Sequence, residues 1–528
     1  MSAVPAAPEP VTLGGLFAAS RGRFPDRPAV IQDERAWSYG ELDIWAATVA
    51  QRLRELGVSR GARVGVFLPN SVEWVVTALA AARLGAIILP INLRYRPDEL
   101  RKLLAGAQPS AVVLTERFLT NPCADRLEEA LPDLRGGVGR AGLPAMVAID
   151  RPRSWAEPFP EPEGRVAAVE APVAEADPFV VFWTSGTTGE PKGVAHAHAA
   201  LRNVWSWTSM IGYGPDEVVL TVRPFYYIAG AFWSLFGPLA HGAAIVIAQR
   251  LSPDELLPLM ARHGVTVLLG GPSVYEALLE HPLLGRVSGG LQLRRGSFGG
   301  GPPGPGFVRR VKQNLGLPIV VQVYGMTELQ GYASSTAPDD PDDVTEQTVG
   351  RPLPGFEFRL RDESGGEVPD GTPGELLARG NTLLGYFRDG VISPGVDAAG
   401  WFATGDLLVR RPDGNYVSHS RARDVAKVRG ENVALAEVDA VLGSIPGVAR
   451  AIAIAVPDAR EGNVIRAVVA PTADAGLTVA DVIAACRARL APFKVPRSVA
   501  LVDATFAWPL TVTGKLQREQ VRRLVEGG

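Results

Sequence analysis

What this chain lacks narrows it before any motif does. Its 528 residues hold two cysteines, Cys123 and Cys486, far apart and without metal-ligand spacing. A disulfide scaffold and a zinc site are therefore unsupported, and a reducing, cytoplasmic setting fits. Neither sign of charge dominates: 53 Lys and Arg stand against 56 Asp and Glu, a net charge of -3, with no basic tail or stripe. Nucleic acid is thus not an expected partner. Long apolar runs are missing too. The most apolar stretch, Val75 to Ile91, carries Arg83 and Pro90, which makes it too short and too interrupted for a membrane span. It reads as a buried helix followed by a strand. The opening MSAVPAAPEPVTL has no basic region and no apolar core, so no signal peptide is expected. No short-period repeat is present, which sets solenoids aside.

What is there describes a soluble globular protein, 46% hydrophobic and 21% charged, with room for about three to four domain-sized units. Ser38-Tyr39-Gly40-Glu41 is a capping-box pattern, and Leu42, Trp45, Ala46, Val49, Leu53 and Leu56 follow at helical spacing up to Gly57. Strands are expected at Val64–Leu68, Ala86–Leu89, Ala111–Leu114, Val218–Val222, Ala244–Ala248, Val265–Leu269 and Ile319–Val323, with helices between them. That alternation predicts an α/β fold with doubly wound parallel sheets. From about Asp339 to Ser420 the text turns to short strands rich in glycine and proline (GFEFRLRD, GELLARG, GNYVSH), as in a small barrel-like β subdomain. Beyond Arg421 a helix near Ala434–Leu442, strands Ala451–Val456 and Ala467–Val469, and helices at Val479–Leu490 and from Leu516 predict a small α+β domain. The expected division is 1–420, with parts at about 1–170, 171–340 and 341–420, and 421–528.

One stretch organises the rest. Thr184 to Gly193, TSGTTGEPKG, follows the apolar β-forming run FVVFW. Glycines let the backbone approach an anion, and successive N–H groups in such a loop form a concavity for one. The hydroxyls of Thr184, Ser185, Thr187 and Thr188 add donors between Gly186 and Gly189, and Lys192 adds a charge. The loop reads as a polyphosphate cradle. It is not a Walker A loop, because Pro191 stands where that pattern has glycine before the lysine.

TSGTTGEPKG resembles the phosphate-binding loop of the AMP-forming adenylating superfamily, which includes acyl-CoA synthetases, luciferases and the adenylation domains of peptide synthetases. Further stretches agree in family order from about Phe24 to Arg522. Tyr324-Gly325-Met326-Thr327-Glu328 follows the strand LPIVVQV, at the carboxyl end where open α/β sheets bind ligands. The resemblance implies that Tyr324 stacks on adenine, that Thr327 contacts phosphate and carboxylate oxygens, and that Glu328, with Thr184, holds magnesium. It runs Gly299-Gly300-Gly301-Pro302 along the adenine and the acyl pocket. It gives Asp406, in GWFATGDL, to the ribose, and Arg421 likewise. Arg423 matches the hinge, with Ser420 in place of the family's glycine. Lys427, followed by Gly430, matches the lysine of the second half-reaction, and Lys515, in TVTGK, the lysine of the first.

The stretch Arg223-Pro224-Phe225-Tyr226-Tyr227-Ile228-Ala229-Gly230 contains no acid. Amino-acid substrates are disfavoured, since a buried ammonium would go unpaired. Phe225, Tyr226, Tyr227, Phe232 and Trp233, with Gly230, read as an aromatic pocket wall or as core. His196 and His198 read as structural, because the carboxylate nucleophile is already ionised near neutral pH. The expected protein is a freestanding acyl-CoA synthetase. It would form acyl-AMP and pyrophosphate, then acyl-CoA and AMP, from an apolar fatty, alicyclic or aryl acid. Its cofactors would be ATP, magnesium and coenzyme A. The alternative is an adenylating enzyme that hands the acyl group to a carrier protein. No membrane span is expected, and both a single chain and a homodimer fit.

Overall fold

In the computed structural model, Ser38 opens the helix Tyr39–Glu55 as its spacing requires. The Ser38 hydroxyl accepts the Glu41 N–H at 3.2 Å, and the Glu41 carboxylate accepts the Ser38 N–H at 2.8 Å. Such reciprocal caps satisfy two N–H groups that the first turn leaves without partners. Leu42, Trp45, Ala46, Val49 and Leu53 then turn one stripe inward. The apolar run after Ser71 divides into the helix Val72–Leu84 and the buried strand Ile87–Pro90. Gly85, at φ 64, makes the turn between them. Among the described residues no helix is long and apolar enough to cross a membrane.

The structure describes residues 5–526 except 138–141, 152, 163, 165–169, 186–190, 301–302, 304–305, 363, 422–424, 459–460, 473–474, 504–505 and 510–517. The chain divides into two units. The first is Met1–Leu93, Leu104–Phe182 and Gly193–Ser420; the second is Arg94–Leu103, Trp183–Lys192 and Arg421–Gly528.

The first unit is an α/β structure with two nine-stranded sheets. One runs Arg351–Pro352, Ser334–Ser335, Ile319–Tyr324, Arg295–Gly299, Val267–Gly270, Val218–Thr221, Ala244–Ile247, Pro28–Gln32, Arg35–Ser38. The other runs Val391–Ser393, Gly385–Arg388, Pro191–Ala197, Pro178–Ser185, Ile87–Pro90, Arg63–Phe67, Ala111–Leu114, Ala145–Ala148, Glu157–Pro158. Their central strands pair in parallel, with helices as crossovers. The largest core cluster draws on both sheets, with Val64, Ile88 and Phe179 from one and Val219, Val267 and Val323 from the other. Each such side chain contributes about 1.5–3 kcal/mol by leaving water. The glycine- and proline-rich stretch forms a four-stranded antiparallel sheet, Phe356–Arg361, Pro373–Gly380, Trp401–Arg410, Tyr416–Arg421.

The second unit holds a three-stranded sheet of Val448–Asp458, Gly462–Pro471 and Ser498–Leu501, with the helices Leu435–Gly443, Val479–Arg489 and Arg518–Glu526. Val438, Leu442, Ile465, Val482 and Cys486 share its core. Lys494 is buried there, its Nζ 2.8 Å from both Glu99 Oε1 and Glu437 Oε1. A buried ammonium persists only when paired in this way. Cys123 and Cys486 are both free and buried, and burial pushes their thiols up to about 12 and about 11.

Candidate active site

Parallel strands end at a common edge, and the register fixes which residues share it. Gly270 lies opposite Phe298, and Gly299 lies opposite Val323. The carboxyl ends of Val267–Gly270, Arg295–Gly299 and Ile319–Tyr324 therefore share one edge, where Gly299 lies one residue beyond the level of Gly270, and Gly300 and Tyr324 one residue further. A Cβ on Gly299 would stand 2.5 Å from the Val323 carbonyl oxygen, so only glycine fits there. Gly300, at φ +95, takes the left-handed turn that follows. Gly301 lies outside the described residues.

Tyr324, at the end of its strand, donates its hydroxyl to Asp406 Oδ2 at 2.7 Å. Asp406 is buried, and its N–H donates to Thr404 Oγ1 at 3.0 Å. Thr404 Oγ1 in turn donates to the Leu376 carbonyl at 2.9 Å. The tyrosine expected at the base and the carboxylate expected at the ribose are thus brought together from distant parts of the sequence.

The chain turns sharply after Tyr324. A Cβ on Gly325 would meet the Gly331 carbonyl oxygen at 2.3 Å. The short turn Thr327–Leu329 follows and carries Thr327 and Glu328, both half-buried. The Leu383 N–H donates to the Glu328 carbonyl at 2.8 Å, and the Tyr386 hydroxyl donates to Glu328 Oε1 at 3.3 Å. Tyr386 stands opposite Val194 in the strand Pro191–Ala197. Sequence reasoning missed Tyr386. In NTLLGYF it looks like any aromatic residue of a strand, and only the pairing with 193–195 carries it to Glu328.

His196 and His198 are interior. His196 is fully buried and packs on Phe232 and Phe182, at 5.6 and 6.3 Å between ring centroids. Burial pushes its pKa down to about 3, against the pull of the Thr327 backbone. His198 accepts the Leu13 N–H at 3.2 Å and stacks on Phe179 at 4.6 Å, and burial pushes it down to about 4. Both are neutral at pH 7.

The aromatic stretch divides. Tyr227 is half-buried and accepts a hydrogen bond from Asn92 Nδ2 at 2.8 Å. Tyr226 packs edge-on against it at 4.8 Å. A Cβ on Gly230 would come 2.1 Å from the Pro224 carbonyl oxygen. Phe225, Phe232 and Trp233 are core residues. Trp233 stacks on Tyr332 at 4.2 Å and meets Trp207 edge-on at 5.2 Å. Asn92 escaped the sequence reading, since a polar residue in a loop after a strand carries no signal of its own.

In the second unit, the Thr184 hydroxyl donates to the Lys192 carbonyl at 3.4 Å. Ser185 ends the incoming strand, while Gly186, Thr187, Thr188 and Gly189 lie outside the described residues. Lys427 sits in a hairpin opposite Asn432, and its carbonyl accepts Asn463 Nδ2 at 3.1 Å. Arg429 and Gly430 make the tip, at φ 50 and φ 81, the positive pair that a two-residue hairpin turn asks for. Glu431, next to the tip, is buried 3.5 Å from Arg94 Nη1. Burial outweighs that charge and pushes its carboxyl up to about 7. Arg421 ends the strand Tyr416–Arg421. Arg423 and Lys515 lie outside the described residues.

The AMP-binding enzyme family matches residues 17–387, and the AMP-binding enzyme C-terminal domain matches residues 437–515. The chain belongs to the AMP-binding enzyme family. Among its relatives, 3-[(3aS,4S,7aS)-7a-methyl-1,5-dioxo-octahydro-1H-inden-4-yl]propanoyl:CoA ligase of Mycobacterium tuberculosis is 35% identical, over 95% of this chain and 96% of its own. Indoleacetate–CoA ligase of Aromatoleum aromaticum is 30% identical, over 96% of each chain. The amide bond synthetase McbA of Marinactinospora thermotolerans is 28% identical, with a TM-score of 0.83 over 97% of this chain and 99% of its own. As a member of the AMP-binding enzyme family related to CoA ligases over 95% or more of its length, the protein is an AMP-forming carboxylate–CoA ligase that uses ATP and coenzyme A.

Proposed function

We propose that the protein activates an apolar alicyclic or aryl carboxylic acid as its CoA thioester. In the first half-reaction a carboxylate oxygen attacks the α-phosphorus of ATP. The bond from that phosphorus to its bridging oxygen breaks, and pyrophosphate leaves. In the second, the sulfur of coenzyme A attacks the acyl carbon, the bond to the phosphate oxygen breaks, AMP leaves, and the thiol proton passes to solvent.

The observation that carries this reading is the Tyr324–Asp406 hydrogen bond. It presents an aromatic face and a buried carboxylate side by side at the carboxyl edge of the sheet, as a nucleoside requires. In this reading Tyr324, Gly325, Gly300, Gly301, Asp406, Arg421 and Gly430 hold the nucleotide. The loop residues Thr184 to Gly189, with Lys192, hold its phosphates, and Thr327 contacts the reacting oxygens. Magnesium, held by Glu328 and Thr184, would neutralise phosphate charge. The fit is chemical: both side chains offer the oxygen donors a hard cation takes, and Tyr386 already fixes one Glu328 oxygen. Lys515 serves adenylate formation and Lys427 its consumption, in a lid of residues 421–528 that turns about Arg423. Tyr226, Tyr227, Gly230 and Gly299 line the acid pocket, while Trp233, expected with them, belongs to the core behind it. The acids printed in the names of the two ligase relatives, one alicyclic and one aryl, support the substrate class.

A panel of carboxylic acids assayed for acid-dependent AMP release, with and without coenzyme A, tests the proposal. Alicyclic and aryl acids should give AMP release that rises with coenzyme A, together with a thioester product. Better turnover of amino acids would overturn the substrate class. Adenylate that accumulates and ignores coenzyme A would point to a carrier-protein acceptor.

A further inference from the structure

We propose that Glu99 and Lys494 form a latch that closes for the second half-reaction and parts for the first. Both are positioning residues, which act through the hairpin that carries Lys427. The inference rests on the two-step reading above, in which residues 421–528 turn about Arg423, and adds what holds that turn at one of its ends.

The second unit is not made of the lid alone. It also takes in Arg94–Leu103, from far earlier in the chain. Three contacts stitch this strap to the lid. Arg94 Nη1 lies 3.5 Å from Glu431 Oε1, beside the hairpin tip made by Arg429 and Gly430. Arg96 Nε donates to the Leu490 carbonyl at 3.4 Å. Lys494 Nζ donates to Glu99 Oε1 and to Glu437 Oε1, each at 2.8 Å, and stands 5.4 Å from the centre of the Tyr95 ring. Glu99, Glu437 and Lys494 are all buried. Salt screens such a pair little, and parting it is unfavourable because a charge is left without its partner.

The strap is not free to travel with the lid. It runs on into the helix Pro97–Ala107, whose last residues, from Leu104, belong to the first unit. There the Ala107 carbonyl accepts Arg63 Nε at 2.7 Å. On the other side Asn92, two residues before Arg94, donates to the Tyr227 hydroxyl. A strap fastened at both ends stays behind when 421–528 turn, so its ties to the lid must open.

The triad is built to open. Of the two carboxylates on Lys494, only Glu99 belongs to the strap. Glu437 lies on the lid's own helix, Leu435–Gly443, and moves with the lysine. Glu99 has a second partner too: its Oε2 accepts the Arg96 N–H at 2.9 Å, in the first turn of a helix, where a carboxylate is favoured. Each half therefore keeps one partner after parting. What the closed strap holds is the Lys427 hairpin, since Glu431, paired with Arg94, directly follows the tip, and Lys427 stands in the same hairpin opposite Asn432. The closed latch thus belongs to the step that Lys427 serves.

The test compares Glu99→Gln with Glu437→Gln in the full-length protein, using the acid of the panel above that turns over fastest and its synthetic acyl-AMP. Glu99→Gln removes the strap's charge and leaves Lys494 its lid partner, so the closed state weakens. Conversion of supplied acyl-AMP to thioester should slow by about tenfold or more, the weight of one hydrogen bond between charged groups. Pyrophosphate release in the first half-reaction should be unchanged or faster. Glu437→Gln leaves Lys494 without a carboxylate once the latch parts, so opening becomes harder. Pyrophosphate release should then slow by about tenfold or more, while conversion of supplied acyl-AMP keeps its rate. A triad that only stabilises the fold would lower the thermal midpoint in both variants and slow both half-reactions alike. Equal slowing of the two half-reactions by either variant, or no change in either, overturns the latch. If one variant does not fold, the other decides alone. If no acid of the panel releases pyrophosphate with the unaltered protein, the ligase reading falls and takes the latch with it.

Discussion

The sheet edge of the first unit and the Lys427 hairpin of the second are built in opposite ways. At the edge, Tyr324 and Asp406 meet across a sequence separation of 82 residues, and Tyr386 and Glu328 across 58. In the hairpin, Lys427 faces Asn432 across a turn made by Arg429 and Gly430. The edge is assembled by long-range strand register, and its side chains lock one another. The hairpin is assembled by local turn chemistry, and its lysine is presented by two short strands. The difference teaches where function should be separable. A residue that grips the nucleoside serves every step in which the nucleoside is bound, whereas a residue carried on a small local element can serve one step alone.

The largest effects should come from the lysines, and they test the comparison most directly. Lys515→Ala is expected to lower pyrophosphate release by about a hundred- to a thousandfold, the loss that removal of one transition-state charge brings. It should still convert supplied acyl-AMP into thioester. Lys427→Ala should do the reverse, with near-normal pyrophosphate release and slow consumption of acyl-AMP. Equal damage to both half-reactions by either change would break the idea of one residue for one step.

Next come Asp406 and Tyr324, the residues proposed to hold the nucleoside. Asp406→Asn should slow both half-reactions by about tenfold or more, chiefly through the KM for ATP and for acyl-AMP, since it weakens a hydrogen bond to a charged group. Tyr324→Phe should cost less. The double variant should fall short of the sum, because the two side chains share one bond. Fully additive effects would mean that the pair does not act together.

A smaller effect is expected from Tyr386→Phe. Loss of one hydrogen bond to Glu328 should raise the magnesium concentration needed for half-maximal pyrophosphate release by about three- to tenfold, with the KM for the acid unmoved. Manganese binding followed by electron paramagnetic resonance gives the same comparison without turnover. An unchanged metal requirement would separate Tyr386 from Glu328.

The smallest effect concerns stability against pH. Glu431 has its folded-state pKa raised from 4.5 to about 7 by burial. The folded state therefore binds more protons than the unfolded one between those values, and stability falls as pH rises through that window. Arg94 and Lys494 are the cations that oppose this. Glu431→Gln should flatten the decline of the thermal midpoint between pH 5 and pH 8. A slope identical to that of the unaltered protein would mean that the carboxyl is already compensated.

The sequence by itself determined what local physics decides. The capping box at Ser38 and Glu41 formed as its spacing required, and Val72–Leu84 and Ile87–Pro90 divided the most apolar run as expected. Strand cores at Ala111–Leu114, Val218–Thr221 and Ile319–Tyr324 appeared within a residue or so of their expected ends. The composition of the motifs was enough to resemble the family to which the chain belongs. Tertiary structure alone decided partnership. Pro28–Gln32, near the start, joins the sheet of Ala244–Ile247, and Gly385–Arg388 pairs with Pro191–Ala197. The second pairing brought Tyr386 to Glu328, and tertiary packing of residues far apart in sequence brought Asn92 to Tyr227. Packing also divided one aromatic stretch, with Tyr227 half-buried and Phe225, Phe232 and Trp233 in the core. Helix caps, turns and apolar periods are set by residues a few positions apart, so they are legible in order. Strand neighbours and hydrogen-bonded side chains are set by which buried surfaces close on one another across hundreds of residues, and only the folded chain selects among them.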